Sequence, residues 1–188
     1  VEMSQMIGIS RTPVREAVIQ LSEESRIIEI FPQRGMRIAL IDVDLVEEAR
    51  FLRLVLEKAA VELVCGQADE EDLQWLDENI RLQEFYLEGG SSRKLLELDN
   101  EMHRKLFSIC RKELTYEMSQ RLAIHYDRIR SLSVAAVKDH KIIEDHKKLL
   151  EAIRSRDKKL AAETMDLHLN RWMLNEQMFR DQYPAYFK

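Results

Sequence analysis

Beyond Asp42 the chain keeps one pattern: apolar residues recur every three or four positions with charged residues between them. That is the period of an α-helix with one buried face. It predicts helices near residues 43–66, 69–88, 93–111, 114–136, 140–155 and 157–182. The breaks fall at Gly66-Gln67-Ala68, Gly89-Gly90-Ser91-Ser92, the Arg111-Lys112 region, Lys138-Asp139 and Arg156-Asp157. Connections this short join neighbours that run back and forth, so residues 41–188 are expected to form an all-α antiparallel bundle of about six helices.

Residues 1–40 follow a different pattern. VEMSQMIGIS reads as a short helix ending near Gly8, and RTPVREAVIQLSEES as a second helix after a tight turn. Ser10 is placed to cap the second helix, and Pro13 sits in its first turn, where a missing N–H costs little. RIIEIF and MRIALI are β-rich runs separated by the turn signal PQRG. Helix, tight turn, helix and hairpin outline a winged helix-turn-helix, so the expected fold class is mainly α with a β-hairpin wing.

Composition narrows the picture. Five glycines and three prolines leave few places to break a helix. The net charge of −5 argues against a generally basic nucleic-acid coat. Within residues 1–40, five arginines (11, 15, 26, 34, 37) balance five glutamates (2, 16, 23, 24, 29), so any DNA contact must be local. Cys65 and Cys110 lie far apart without metal-type spacing, which fits buried thiols in a reducing cytoplasm. No signal peptide and no apolar run of membrane-spanning length is present, so a cytoplasmic protein without a membrane partner is expected. The chain starts at Val1 without methionine, so a preceding segment is expected.

Two arginines stand at the wrong end of a helix. Arg11 and Arg15 share one face near its N-terminus, where the macrodipole favours negative charge. An anionic partner would explain them. Ser10 and Thr12 add hydroxyl donors, arginine can bridge guanine O6 and N7, and Gln33, Arg34 and Gly35 form a hairpin tip that can approach a phosphate or groove. The alternative is a solvated surface in which Arg15 pairs with a nearby glutamate.

Four polar residues interrupt the apolar stripes of the bundle. Asp99 and His103 share a face with Leu96, Leu106 and Cys110. His146 continues the stripe of Ile142, Ile143, Leu149, Leu150 and Ile153, and His168 that of Ala161, Met165 and Trp172. A buried carboxylate or imidazole needs a partner. Three imidazole nitrogens and a carboxylate oxygen are a donor set for a divalent transition metal, Zn²⁺, Ni²⁺ or Mn²⁺, with open positions left on a six-coordinate ion. His125 lies on a stripe with Leu114, Met118, Leu122 and Ile129 and is a candidate for the same cavity or for the core. Arg53 is the one charge among Val46, Ala49, Leu56, Ala60 and Leu63. It either pairs with Glu57 or meets an anionic effector, with Arg50 as the next candidate.

GISRTPVREAVIQL followed by IIEIFPQRGMRI resembles the DNA-binding domain of the GntR superfamily of bacterial transcription regulators. The resemblance implies that Ser10, Arg11 and Arg15 contact operator DNA from the recognition helix, that Gly35 does so from the wing, and that the domain's first helix precedes Val1. Ser25 departs from the family, which usually has glycine after the recognition helix. Glycine suits a left-handed C-cap better, so a somewhat strained turn is expected there.

LDNEMHRKLF resembles the D-x-x-F-H motif of the FCD effector domain in the FadR subfamily, with Met102 in place of phenylalanine. EDHKKLLEAIRSRD and AAETMDLHLN resemble its later histidine segments. The implied ligands are Asp99, His103, His146 and His168, and six helices suit the VanR-like type of this domain. The expected protein is therefore a homodimeric, metal-containing regulator: a DNA-binding head on residues 1–40 and a metal- and effector-binding domain on 41–188 that answers to a small organic acid. A helical metal-dependent hydrolase and an interaction protein with a structural metal are the rival classes.

Overall fold

The computed structural model describes residues 2–136, 140–171 and 176–188. The head comprises α1 (Glu2–Ile7), α2 (Arg11–Ser25), β1 (Ile28–Phe31) and β2 (Gly35–Ile38). The two strands pair antiparallel, with Ile28 opposite Ile38 and Phe31 opposite Gly35. At the tip, Arg34 N–H donates to the Phe31 carbonyl at 3.0 Å, and positive φ at Gln33 (63°) and Gly35 (112°) turns the chain back. The left-handed residue that ends α2 is Arg26 (φ 55°), not Ser25. Ser25 stays helical and its hydroxyl donates to the Leu21 carbonyl at 2.6 Å, so the strain expected at Ser25 falls one residue later.

The remainder is helical: α3 (Val43–Gln67), α4 (Glu70–Glu88), α5 (Ser92–Ile109), α6 (Glu113–Ala136), α7 (His140–Arg154), α8 (Lys158–Asn170) and α9 (Glu176–Gln182), then a 3-10 turn at Pro184–Tyr186. Of the helix expected over 157–182, the described residues form α8, to Asn170, and α9, from Glu176. Trp172 and the expected break at Lys138-Asp139 lie outside the described residues.

Local chemistry sets these boundaries. Asp42 caps α3 by accepting from Asp44 N–H, and Asp157 caps α8 by accepting from Leu160 N–H. Asp69 and Asp72 form a reciprocal capping box at the start of α4. Arg111 and Arg156 take the left-handed conformation between α5 and α6 and between α7 and α8, where the short breaks were expected.

Helix α3 is the axis of the bundle and packs against α5, α6, α7 and α8. It buries Val46, Ala49, Ala60, Val61 and Val64, and α8 meets it with Ala161 and Met165, small or flexible side chains that permit close approach. The three helices carrying Asp99, His103, His146 and His168 therefore all lie against one helix. Cys65 and Cys110 are free and buried. Among the described residues no helix is long and apolar enough to cross a membrane.

The segment joining head and bundle is held from two sides. Arg128 on α6 donates to the carbonyls of Ala39 and Leu40, at 2.7 and 3.4 Å. Ile41 pairs with Phe187 in a parallel bridge, Ile41 N–H reaching the Tyr186 carbonyl at 2.7 Å, while Lys188 reaches the Asp42 carboxylate at 2.6 Å.

The capping box gives a local test. Asp69→Ala should lower stability by about 1 kcal/mol, because it strands the Asp72 N–H at the start of α4. Ser10 makes no side-chain cap bond to α2, so Ser10→Ala should leave stability within ~0.5 kcal/mol. Urea titrations of both variants measure the difference.

Candidate metal and DNA-contact sites

Asp99, His103, His146 and His168 converge. One donor atom from each lies within 4.8 Å of all the others. His168 Nε2 is 3.3 Å from His103 Nε2 and 3.4 Å from His146 Nε2. Asp99 places Oδ2 3.6 Å from His103 Nε2 and Oδ1 3.6 Å from His146 Nε2. Two donors held ~2.1 Å from one ion at roughly 90–109° are themselves ~3.0–3.4 Å apart, so the spacing suits a shared cation.

The tautomers fit too. Glu57 on α3 accepts Arg53 Nε on one oxygen, at 2.7 Å, and His103 Nδ1 on the other. Burial would raise the Glu57 pKa, but Arg53 and His103 outweigh it and hold it at about 2, so Glu57 can only accept. His103 therefore keeps its proton on Nδ1 and turns the Nε2 lone pair inward.

Gln83 on α4 does the same for His146. Its amide nitrogen donates to Asn79 Oδ1 at 2.7 Å, which leaves its oxygen to accept His146 Nδ1 at 2.9 Å. Burial, followed by the neighbouring His168, pushes His146 well below the ordinary histidine value, and burial also lowers His168. Both are neutral near pH 7. Asp99 stays ionised: burial would raise its pKa, yet Arg130 and the three imidazoles outweigh it and hold it below the usual carboxylate range.

Lone pairs so close together repel one another unless a cation lies among them, and the donor set fits Zn²⁺, Ni²⁺ or Mn²⁺.

A cavity of about 50 Å³ adjoins the donors, lined among others by Arg53, Asp99, Tyr126, Arg130, His168 and Arg171. At ~10–15 Å³ per water-sized group it admits a few atoms, the scale of a small acid. Arg130 donates to Asp99 and, at 2.6 Å, to Asp127. Arg171 forks onto Asp145.

Of the three effector candidates, only Arg53 lines this cavity, and it does so while paired with Glu57. Arg50 is engaged with Glu47 and Asn170, at 2.8 and 2.6 Å, and is not part of the lining. His125 faces the other way, its Nε2 2.7 Å from the Ser25 carbonyl of the head. Of its stripe, Leu114 and Met118 are each 69% exposed and Ile129 is buried, so His125 takes the core alternative and does not reach the cavity.

Glu57, Gln83, Arg130, Asp145 and Arg171 were not singled out as site residues by the sequence. A polar residue one turn from another polar residue looks like a solvated face. Glu57 alone carries a signal in the sequence, as the residue one turn after Arg53.

On the head, Arg11, Thr12 and Arg15 line a shallow surface groove, and neither guanidinium pairs with a carboxylate among the described residues. Ser10 extends the same exposed end of α2, and its hydroxyl is not spent on capping. Gln33, Arg34 and Gly35 are exposed at the wing tip.

A winged head on a helical bundle with an inward His/Asp cluster is the architecture of a DNA-binding transcription regulator. Residues 48–171 match the FCD domain, and the chain belongs to the FCD family of transcription regulators. It is similar to the HTH-type transcriptional repressor RspR of Escherichia coli K12, with 27% identity over 187 residues covering 99% of this chain and 82% of the relative. It is also similar to the HTH-type transcriptional regulator YdhC of Bacillus subtilis 168, with 26% identity over 175 residues, 90% of this chain and 76% of the relative.

The fold matches that of E. coli McbR/YncC with a TM-score of 0.79 at 20% identity, over 97% of this chain and 85% of the other. It matches Streptococcus agalactiae GntR with a TM-score of 0.57 at 24% identity, over 89% and 83%. RspR and YdhC are named as transcription regulators, which favours that class over the hydrolase alternative.

Purified protein should carry about one divalent ion per chain, and His103→Ala and His168→Ala should lose it. Elemental analysis after mild purification decides; wild type without transition metal would remove the site.

Metal-free protein should also be acid-labile. His146 and His168 have folded pKa values below the unfolded value of 6.5, so the unfolded chain binds more protons as pH falls through that value. Stability is then lost on acidification, by up to ~1.4 kcal/mol per pH unit for each histidine. The lowered pKa values of Glu57 and Asp145, each about 2, add a further loss only below their ordinary carboxylate range. Thermal melts of chelator-treated protein between pH 7 and 5 test the first step, and His146→Gln should flatten it.

Proposed function

We propose that this chain is a metal-containing, carboxylate-responsive repressor or activator that binds operator DNA as a homodimer in the cytoplasm. The observation that carries the reading is the charge balance around the cavity. Three guanidinium groups, of Arg53, Arg130 and Arg171, pair with four carboxylates, of Glu57, Asp99, Asp127 and Asp145. The set carries about one negative charge before any ion enters it. A divalent cation among the imidazoles turns that to about one positive charge, which favours an anion beside it. The metal supplies open coordination positions for carboxylate oxygens, and the cavity arginines supply donors of matching geometry.

The head supports the DNA half of the reading. Arg11 and Arg15 project from a helix N-terminus with Ser10 and Thr12 beside them, and the wing presents Gln33, Arg34 and Gly35, an arrangement suited to bases and phosphates.

A dimer is supported by apolar surface on two helices that pack together. Phe51 and Val55 on α3 are 62% and 51% exposed, and Leu114 and Met118 extend the apolar surface on α6. Signal can pass along α6, whose Arg130 and Tyr126 face the cavity while His125 and Arg128 hold the head and linker.

Arg11→Ala and Arg15→Ala in the full-length protein should each weaken binding by about 1–3 kcal/mol to DNA selected by wild type from a randomised pool, if each bridges a guanine. Anisotropy titrations at one salt concentration measure this, since affinity shifts steeply with ionic strength. Unchanged binding in both variants would place the DNA face elsewhere. With metal-loaded wild type, a screen of small carboxylic acids should yield one that shifts the same binding curve, and chelation should abolish that shift.

A further inference from the structure

Helix α6 takes three backbone carbonyls from the head and linker. His125 Nε2 lies 2.7 Å from the Ser25 carbonyl, and Arg128, one turn later, donates to the carbonyls of Ala39 and Leu40. A carbonyl only accepts, so His125 carries its proton on Nε2. Burial lowers its pKa, and the ring is neutral near pH 7. Ser25 is the last residue of α2, where the final carbonyls lack an intrahelical donor, and His125 supplies one.

Apolar packing beside this contact is thin. A cleft of about 560 Å³ opens between head and bundle, lined by Ser22, Arg26 and Ile28 on one side and by Leu45, Lys188 and His125 itself on the other. Where apolar contact is sparse, a directed hydrogen bond sets the orientation. The other side of α6 meets the metal donors. Tyr126 O–H donates to the Leu169 carbonyl at 2.8 Å, one residue after His168, and Arg130 donates to Asp99. Six consecutive positions of one helix are thus tied to the donor cluster and to the end of the recognition helix.

The far end of that helix carries Arg11 and Arg15. At 1.5 Å per residue α2 is ~21 Å long, so a tilt of about 10° pivoting on Ser25 moves its Arg11 end by about 4 Å. A shift of that size breaks a bidentate contact to guanine.

We propose that His125 is a positioning residue: through the Ser25 carbonyl it fixes the tilt of the recognition helix relative to α6, and so couples occupancy of the His/Asp cluster to DNA affinity. This rests on the reading of the chain as a metal-containing, DNA-binding regulator, and names the contact through which the metal is felt at the operator. Ligation draws His168 and Asp99 toward one ion. The Leu169 carbonyl and Arg130 carry that change to α6, and His125 carries it to α2. By linkage, DNA changes metal affinity by the same factor.

The test compares full-length wild type, His125→Gln and His125→Leu, with zinc as the probe and DNA selected by wild type from a randomised pool. Glutamine retains an N–H donor, while leucine fills the space without one. In wild type, DNA affinity should differ at least about fivefold between zinc-loaded and chelated protein, the lower end of ordinary coupling between sites. His125→Gln should keep most of that ratio. His125→Leu should bind zinc as wild type does, read against a competing chromophoric chelator, and still bind DNA, yet with the ratio abolished. A purely structural role would weaken DNA binding alike in both states and leave the ratio intact.

A wild-type ratio in His125→Leu overturns the proposal and leaves the sensor reading standing. Loss of the ratio in both variants overturns it too, because ring volume and not the donated proton would then matter. Wild type whose DNA affinity is indifferent to bound zinc overturns the coupling, and wild type that takes up no zinc overturns it together with the sensor reading. One measurement needs no variant to fold. In wild type labelled with ¹⁵N-histidine, His125 should hold its proton on Nε2 and exchange it slowly with water; exchange as fast as that of a free imidazole overturns the contact.

Discussion

Charge compensation inside an apolar bundle is the constraint on which the remainder depends. Four donors point at one another from α5, α7 and α8, and nothing in a hydrocarbon interior would hold them there. Three of them are tied outward, His103 to Glu57, His146 to Gln83 and Asp99 to Arg130, and His168 packs between them. The ties themselves need partners, which Arg53 provides for Glu57, and Asn79 for Gln83. The polar site is therefore two layers deep, and its outer layer recruits α3, α4 and α6. A bundle that had only to be stable would place leucines at these positions; well-packed apolar residues commonly match or exceed buried ion pairs in stability.

That depth explains what was legible in the sequence. The six helical segments followed from periodicity, since one buried face per helix leaves a clear stripe, and the hairpin followed from PQRG between two β-rich runs. Asp99, His103, His146 and His168 stood out because each broke an apolar stripe. Their supports did not. Gln83 and Asp145 sit in helices rich in charge, where a buried amide or carboxylate cannot be told from an exposed one until the tertiary neighbours are known. His125 shows the limit of a stripe: Leu114 and Met118 at its start are exposed, Ile129 at its end is buried, and His125 between them is buried against the head and away from the cavity. Periodicity reports that a helix has an apolar face and is silent on whether the chain itself covers it.

The division at the linker is likewise more connected than the sequence implied. Residues 1–40 and 41–188 differ in pattern, yet the linker's carbonyls are taken by Arg128 and its Ile41 by the tail around Phe187. The last residues of the chain lie against the start of α3, so the head's seating depends on segments nearly 150 positions apart. Such closure is invisible to local patterns and follows only from the path of the helices between.

Helix α6 carries contacts to both halves on neighbouring positions: His125 and Arg128 toward the head and linker, Tyr126 and Arg130 toward the cavity. An α-helix advances about 100° per residue, so the angle between those two sets is fixed by counting residues. Inserting one residue between Arg128 and Arg130 would leave the linker contacts in place and swing Arg130 a quarter-turn from Asp99. The head and linker contacts would keep their chemistry, while Asp99 lost its tie to Arg130. The spacing along this helix is thus a digital quantity: substitutions can adjust either end, but a change of length by a single residue alters the registration between them.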